Sequence, residues 1–314
     1  MKTKPIIRKL GTIDLDMVEI NPIVIGNKLY RFESVRGNYH ANKLGYPYFR
    51  FIDTETGTAT PSFGAYHTFG CAFYHEGVTY VSASLTDNAS KDRDTIKIFR
   101  SVDLVNWEEK IALKLPGWGI FNTTICKGRD GFVMAFEIDS PPEECGVGFT
   151  IRFAVSEDLW NWELTPSDVV YFKDRYTACP AIRYLPEDGY YYMIYLEHFP
   201  GWGFAPYISR SKDLKKWYLS PVNPVLMYDD LEDKKTANHN FTPEQREYIQ
   251  NAICINNSDV DLCEYQGRTV INYSWGNQFG CEFLAEAVYE GSLSEFLRGF
   301  FDGWQRPPSY PIEF

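Results

Sequence analysis

Apolar and polar side chains alternate through most of this chain, as in Thr95-Ile96-Lys97-Ile98-Phe99-Arg100 and Phe149-Thr150-Ile151-Arg152-Phe153. A two-residue period rich in β-branched and aromatic side chains marks a strand with one face buried. Short runs of this kind recur between turn residues such as Gly26-Asn27, Glu55-Thr56-Gly57 and Gly77. They group into three units of four strands, at 67–76, 78–84, 95–101 and 107–113, at 121–127, 132–138, 149–156 and 162–164, and at 176–184, 190–197, 205–211 and 217–219. A looser unit follows at 258–265, 268–273 and 283–289 and ends in Leu293-Ser294-Glu295-Phe296-Leu297. Another precedes them at 18–25, 28–33, 48–53 and 58–62. From Thr242 to Gln250 the pattern is helical, with an N-cap residue, Pro243 in the first helical position and helix formers after it.

One phrase sets the register of the units. Ser-x-Asp-Leu-x-x-Trp starts at Ser101, Ser156 and Ser211, 55 residues apart each time, and ends on Trp107, Trp162 and Trp217. Its Ser and Asp can bond the backbone N–H groups of a turn, while Leu and Trp bury apolar surface on either side. A repeat of this period marks a supersecondary unit such as a propeller blade, and radial repetition leaves only short, protected strand edges. The prediction is one all-β domain over 1–314, a five-bladed β-propeller of four-stranded antiparallel blades. Its irregular tail, 301–314, wraps the outside or crosses to a second copy. The repeated turn joins the third and fourth strands of a blade. Antiparallel pairing then puts the starts of first strands and the ends of second strands on the opposite rim, where the functional site is expected.

Composition narrows the partners. The 314 residues are 44% hydrophobic and 17% aromatic, ample for a large β core. A net charge of −11 opposes binding to nucleic acid or to an anionic membrane surface. There is no apolar run of about 18 residues to span a bilayer, and the basic N-terminus lacks the apolar segment of a secretory signal. Seven cysteines without a CxxC pair, among them Cys71, Cys126, Cys179 and Cys263 in strand-like runs, read as buried free thiols. A cytoplasmic location follows as an expectation; self-association is left open. There is no phosphate-binding loop, HExxH or GxSxG, and the histidines are not spaced as a metal cluster, so neither cofactor nor metal is expected.

Acids gather at the expected rim. Second strands end in Phe32-Glu33, Phe136-Glu137 and Leu196-Glu197-His198, and first strands open near Asn21, His67, Asn122, Arg175 and Asp259-Val260-Asp261. Glycoside hydrolysis needs two carboxyl groups, one protonated and one ionised. Burial at the end of an apolar strand raises a carboxyl pKa toward the acid role. Glu137 and Glu197 are the candidate general acids and Asp259 the candidate base or nucleophile. Glu33, His67, Asn122, His198 and Asp261 are candidate tuning or sugar-binding groups, with Trp118, Trp202 and Trp275 as aromatic platforms for sugar rings. The plainer reading pairs these acids with Arg31, Arg50, Arg175 or Arg183 and packs each Trp under a loop.

With five units and Ser-x-Asp-Leu-x-x-Trp turns, the chain resembles the five-bladed propeller glycoside hydrolases, the group of families 43, 32, 62 and 117 and the mannoside phosphorylases of family 130. The resemblance covers nearly the whole chain and implies the propeller fold and a glycosidase acting on a short oligosaccharide or glycoside. In family 43 the general base is an Asp in an Asp-Pro pair opening the first inner strand. Here the matching stretch is Asn21-Pro22-Ile23-Val24, so an amide stands at that position and Asp259 is the expected replacement. Two alternatives remain: a glycoside phosphorylase with a phosphate pocket of Arg175, Arg183 and His198, and a catalytically silent sugar-binding propeller.

Overall fold

The inner strands of five antiparallel sheets touch one another in a closed ring. The computed structural model describes residues 4–85, 93–199, 203–277 and 280–303. The chain opens with β1 (Arg8–Leu15), which belongs to the last sheet. The first blade is β2 (Asn21–Ile25), β3 (Lys28–Val35) and β4 (Tyr48–Asp53); the second is β5 (His67–His75), β6 (Val78–Leu85), β7 (Thr95–Ser101) and β8 (Glu108–Lys114). The third is β9 (Gly119–Gly128), β10 (Gly131–Ser140), β11 (Thr150–Ser156) and β12 (Glu163–Leu164), with the short helix α1 (Pro142–Cys145) between its second and third strands. The fourth is β13 (Thr177–Leu185), β14 (Tyr190–Phe199), β15 (Gly203–Ser211) and β16 (Trp217–Leu219). After α2 (Asp230–Asp233) and α3 (Pro243–Asn251), the fifth blade is β17 (Asn256–Tyr265), β18 (Arg268–Gly276) and β19 (Glu282–Tyr289), followed by α4 (Leu293–Gly299). Contacts run β2 to β5, β5 to β9, β9 to β13, β13 to β17 and β17 back to β2. This is the predicted five-bladed propeller.

The repeated phrase builds the turn its composition implies. In all three copies the Ser hydroxyl accepts from the N–H of the Asp and of the Leu, at 3.2 and 2.9–3.0 Å. The Asp carboxylate accepts from the next two N–H groups at 2.8–3.0 Å. Leu104, Leu159 and Leu214 all sit in the left-handed region, with φ of 61–63°. That conformation is unfavourable for a branched residue and is held here by the ring of hydrogen bonds. Each Leu and its Trp are pressed between blades, as Trp107 stacks on Phe63 at 3.8 Å.

Two expected strands are replaced. The 58–62 segment lies beside β4 only through isolated bridges, Phe49 to Phe63 and Ile52 to Ala59. Pro61 has no N–H to offer a ladder. The fifth blade takes its outer strand from the N-terminus: β1 pairs with β19 from Arg8 opposite Val288 to Leu15 opposite Phe283. The 293–297 stretch is helical instead, started by a reciprocal capping box between Ser292 and Glu295. The closing strand is pinned by Lys9 Nζ, which reaches the fully buried Asp233 at 2.6 Å and Asn257 at 2.9 Å, with little of the Lys9 side chain exposed. The predicted helix is present as α3, capped by Thr242. All seven cysteines are free thiols, and among the described residues no helix is long and apolar enough to cross a membrane. Trp202 and 304–314 of the predicted tail lie outside the described residues.

Candidate active site

Four of the five inner strands break their regular pairing near their starts. Register shifts fall between Thr68 and Cys71, between Ala178 and Ala181, and between Ser258 and Asp261. Within them Phe69, Cys179 and Asp259 have φ of 56°, 50° and 48°, and Glu19, just ahead of β2, has 58°. In the third blade Phe121 and Asn122 of β9 stand opposite Glu137 alone on β10. Such bulges re-aim one side chain per strand, and a non-glycine residue in this region costs about 1–3 kcal/mol that the surroundings must offset. Glu19, Asn122, Cys179 and Asp259 are thereby delivered by four different blades to one cavity of about 470 Å³, which Glu137, Arg36, Tyr39 and Tyr176 also line.

Three carboxyl groups meet there. Glu137 is buried on β10; its Oε2 accepts from Asn122 Nδ2 at 2.9 Å and from the Cys179 N–H at 2.8 Å. Those bonds favour the ionised form, yet burial outweighs them and pushes the carboxyl up to about 7. Glu19 is bonded to the Arg36 guanidinium, and burial raises it to about 8 against the pull of that cation. Asp259 stands close enough to raise both, and the Cys179 thiol bonded to Asp259 is pushed far up by burial and by that carboxylate. Glu19 Oε2 is buried without a hydrogen-bond partner among the described residues. Buried polar atoms of this kind are ready to bond a bound molecule or water.

Of the predicted site residues the structure brings Glu137, Asp259 and Asn122 together at this cavity. Glu197 is not among them. β10 and β14 have the same burial pattern, and in it Glu137 is matched by Leu196, which lines the cavity. Glu197 is one residue further on, so it points to the other face of its blade, into the field of Arg175, where burial raises its pKa. Glu33 is fully buried between Arg31 and Arg50, at 2.6–2.7 Å from each, so the ion-pair reading holds for it. His67 is walled in against Phe99, its Nδ1 2.8 Å from the Ala65 carbonyl, and burial lowers its pKa. Asp261 lies deeper in the channel, paired with Arg183. Trp275 is wholly buried, stacked on Phe283 at 4.3 Å and donating to Thr12 at 2.9 Å. Trp118 packs on the core between the second and third blades beside Arg152, and His198 lies on Phe204 at 4.6 Å.

Sequence reasoning does not single out Glu19, Arg36, Tyr39, Tyr176 and Cys179. Asn21 exchanges two bonds with the Ala72 backbone, at 3.1 and 3.0 Å, and is a link between blades. Glu19, two residues earlier, supplies the carboxylate of the first blade. Glu19 lies ahead of β2 in the left-handed region, outside the alternation of the strand, so no period in the sequence marks it.

No family model matches the sequence, and no curated protein matches it. Among solved structures, BT0996 in its RGII complex aligns at TM-score 0.60 and 13% identity, over 90% of this chain and 92% of that one. The endo-arabinase from Bacteroides thetaiotaomicron VPI-5482 aligns at 0.58 and 12%, over 90% and 99%. The xylan β-1,4-xylosidase from Bacillus halodurans C-125 aligns at 0.56 and 13%, over 88% of this chain and 53% of that one, so the chain spans about half its length. Other matches at TM-scores of 0.53–0.55 are GH43 proteins from Bacillus licheniformis and Bacteroides ovatus. What the chain shares with these proteins is the five-bladed β-propeller fold, which is the fold of family 43 glycoside hydrolases.

Proposed function

We propose that the chain is a glycoside hydrolase acting on a short oligosaccharide or glycoside. The observation that carries this reading is the convergence of Glu137, Asp259 and Glu19 from three blades on one cavity, with Glu137 raised to about 7. A carboxyl group held protonated near neutrality is what a general acid requires. Glu137 gives its proton to the glycosidic oxygen as the bond to the anomeric carbon breaks. Asp259 either takes a proton from the attacking water or attacks that carbon itself; the anomer first released, read by NMR, tells inversion from retention. Glu19 is tied to Arg36 beside the reacting pair, while Tyr39 and Asn122 bond sugar hydroxyls.

A phosphorylase has less support. Arg175 is bonded to Asp174 and Arg183 to Asp261, and neither they nor His198 line the cavity. Arg36 does, but it is engaged by Glu19. The free thiols suit a reducing compartment, in keeping with a cytoplasmic enzyme. The test is a panel of aryl pyranosides and furanosides, with and without phosphate. Glu137→Gln and Asp259→Asn are expected to lower turnover at least about 10³-fold with unchanged circular dichroism. Wild-type turnover in both variants would overturn the assignment.

A further inference from the structure

An arc of rings runs beside the cavity from the second blade to the fourth. Phe69 meets Phe121 at 5.4 Å, Phe121 meets Phe149 at 5.2 Å, and Phe149 meets Tyr176 at 5.3 Å. Both ends of the arc reach the cavity. Tyr176 lines it directly, and Arg36, another lining residue, lies 4.8 Å over Phe69. A second arginine sits in the arc. The guanidinium of Arg93 is 5.5 Å from the Phe69 ring and 4.5 Å from that of Phe121. Arg36 is neutralised by Glu19. The Arg93 side chain makes no ion pair and no hydrogen bond with any described residue, although the chain carries a net charge of −11.

Stacking holds a guanidinium in place by its faces and leaves its N–H donors to a planar, bidentate acceptor. From this juxtaposition we propose that the rim at Arg93, Phe69 and Phe121 is a subsite for a sugar residue bearing a carboxylate, a uronate, next to the sugar whose bond is cleaved. The half-buried Phe69 ring supplies an apolar platform for a sugar face, the buried Phe121 backs Arg93, and Arg93 supplies the fork for the carboxylate. Charge also decides where such a residue lies. Asp259 repels an anion at the cavity floor, where Arg36 is already engaged by Glu19, so the neutral sugar occupies the floor and the acidic one the rim.

The inference rests on the hydrolase reading for its substrate class, but its test does not depend on turnover. Oligogalacturonides and aldouronic acids, their methyl esters, and neutral xylo- and arabino-oligosaccharides are titrated by calorimetry into the Glu137→Gln protein and into the same protein carrying Arg93→Met or Arg93→Lys. The expected result is at least tenfold tighter binding of one acid than of its ester. Arg93→Met is expected to remove that preference while binding of neutral sugars stays unchanged, and Arg93→Lys to restore it only in part. Equal binding of acid and ester, binding of none of the acids, or an acid preference that survives Arg93→Met would overturn it. An Arg93-dependent preference in a protein that cleaves nothing would sustain the subsite and defeat the hydrolase reading instead.

Discussion

The backbone N–H of Cys179 donates to Glu137 Oε2 at 2.8 Å, across the boundary between the third and fourth blades. The bond depends on the left-handed Cys179, whose φ of 50° belongs to the bulge in β13. It fixes the carboxyl group through one oxygen and leaves Oε1 to carry a proton into the cavity. Scaffold strain and candidate chemistry therefore meet at one peptide group.

Glu137 sets a pH dependence. Its folded value of about 7 lies above its usual 4.5, so the stabilisation of its protonated form is fully present below about 4.5 and is lost as pH rises through about 7. Unfolding free energy measured against pH is expected to fall over that window. In Glu137→Gln this fall is expected to be smaller by on the order of 2–3 kcal/mol. Turnover should decline about tenfold per pH unit above 7. With a dinitrophenyl leaving group, which needs no acid, the Gln variant should recover rate and lose that limb; an alkaline limb that persists would remove Glu137 from the acid role.

Glu197 and Glu137 end comparable strands but face opposite sides of their blades. Glu197→Gln is expected to keep kcat within about threefold of wild type, against the loss of at least about 10³-fold for Glu137→Gln. A comparable loss in both would mean that Glu197 reaches the substrate.

Glu33 should behave as scaffold. Its carboxylate is buried between Arg31 and Arg50, and removing one member of a buried ion network costs about 3–5 kcal/mol. Glu33→Gln is expected to lower the urea midpoint by that equivalent, while KM and kcat measured well below the new Tm stay near wild type. A selective loss of kcat with unchanged stability would return Glu33 to the site.

Ring closure rests on Asp233. Its carboxylate takes Lys9 Nζ at 2.6 Å, the Tyr273 hydroxyl at 2.8 Å and Asn257 Nδ2 at 3.1 Å. Asp233→Asn leaves the Lys9 ammonium buried without its counter-charge, at a cost of about 3–5 kcal/mol. Hydrogen exchange should show faster opening of β1 than of β9 or β13 in this variant. Uniform acceleration would show that the first and last blades are joined by something else.

Much of the fold is legible because its signals are local. Alternation in 95–100 and 149–153 and the phrase at Ser101, Ser156 and Ser211 mark strands and turns within a few residues of each other. Of the two misplaced strands, 58–62 fails beside its near neighbour β4, where Pro61 has no N–H to offer, and the outer strand of the fifth blade has a remote partner. β1 pairs with β19 across nearly the whole chain, and no period inside either segment announces that pairing. The candidate site is legible in part for the same reason. The rim follows from strand direction, and Glu137, Asn122 and Asp259 lie on it, whereas Glu33 is satisfied by Arg31 and the cross-strand Arg50, and Asp261 and Trp275 by partners from distant segments, Arg183 and Thr12.

By itself the sequence determined the blades, their register and which rim carries the acids, since a two-residue period and a repeated turn express themselves in short-range sterics and hydrogen bonds. Only the tertiary structure decided which acids face the axis. One bulge residue reverses the facing of everything beyond it. The left-handed residues in the bulges here are Phe69, Cys179 and Asp259, with Glu19 in the same conformation just ahead of β2, not glycines that a reader of sequence would mark. Packing of five inner strands around one channel holds them in that conformation, and it places Glu19 and Glu137 beside Asp259 while turning Glu197 away.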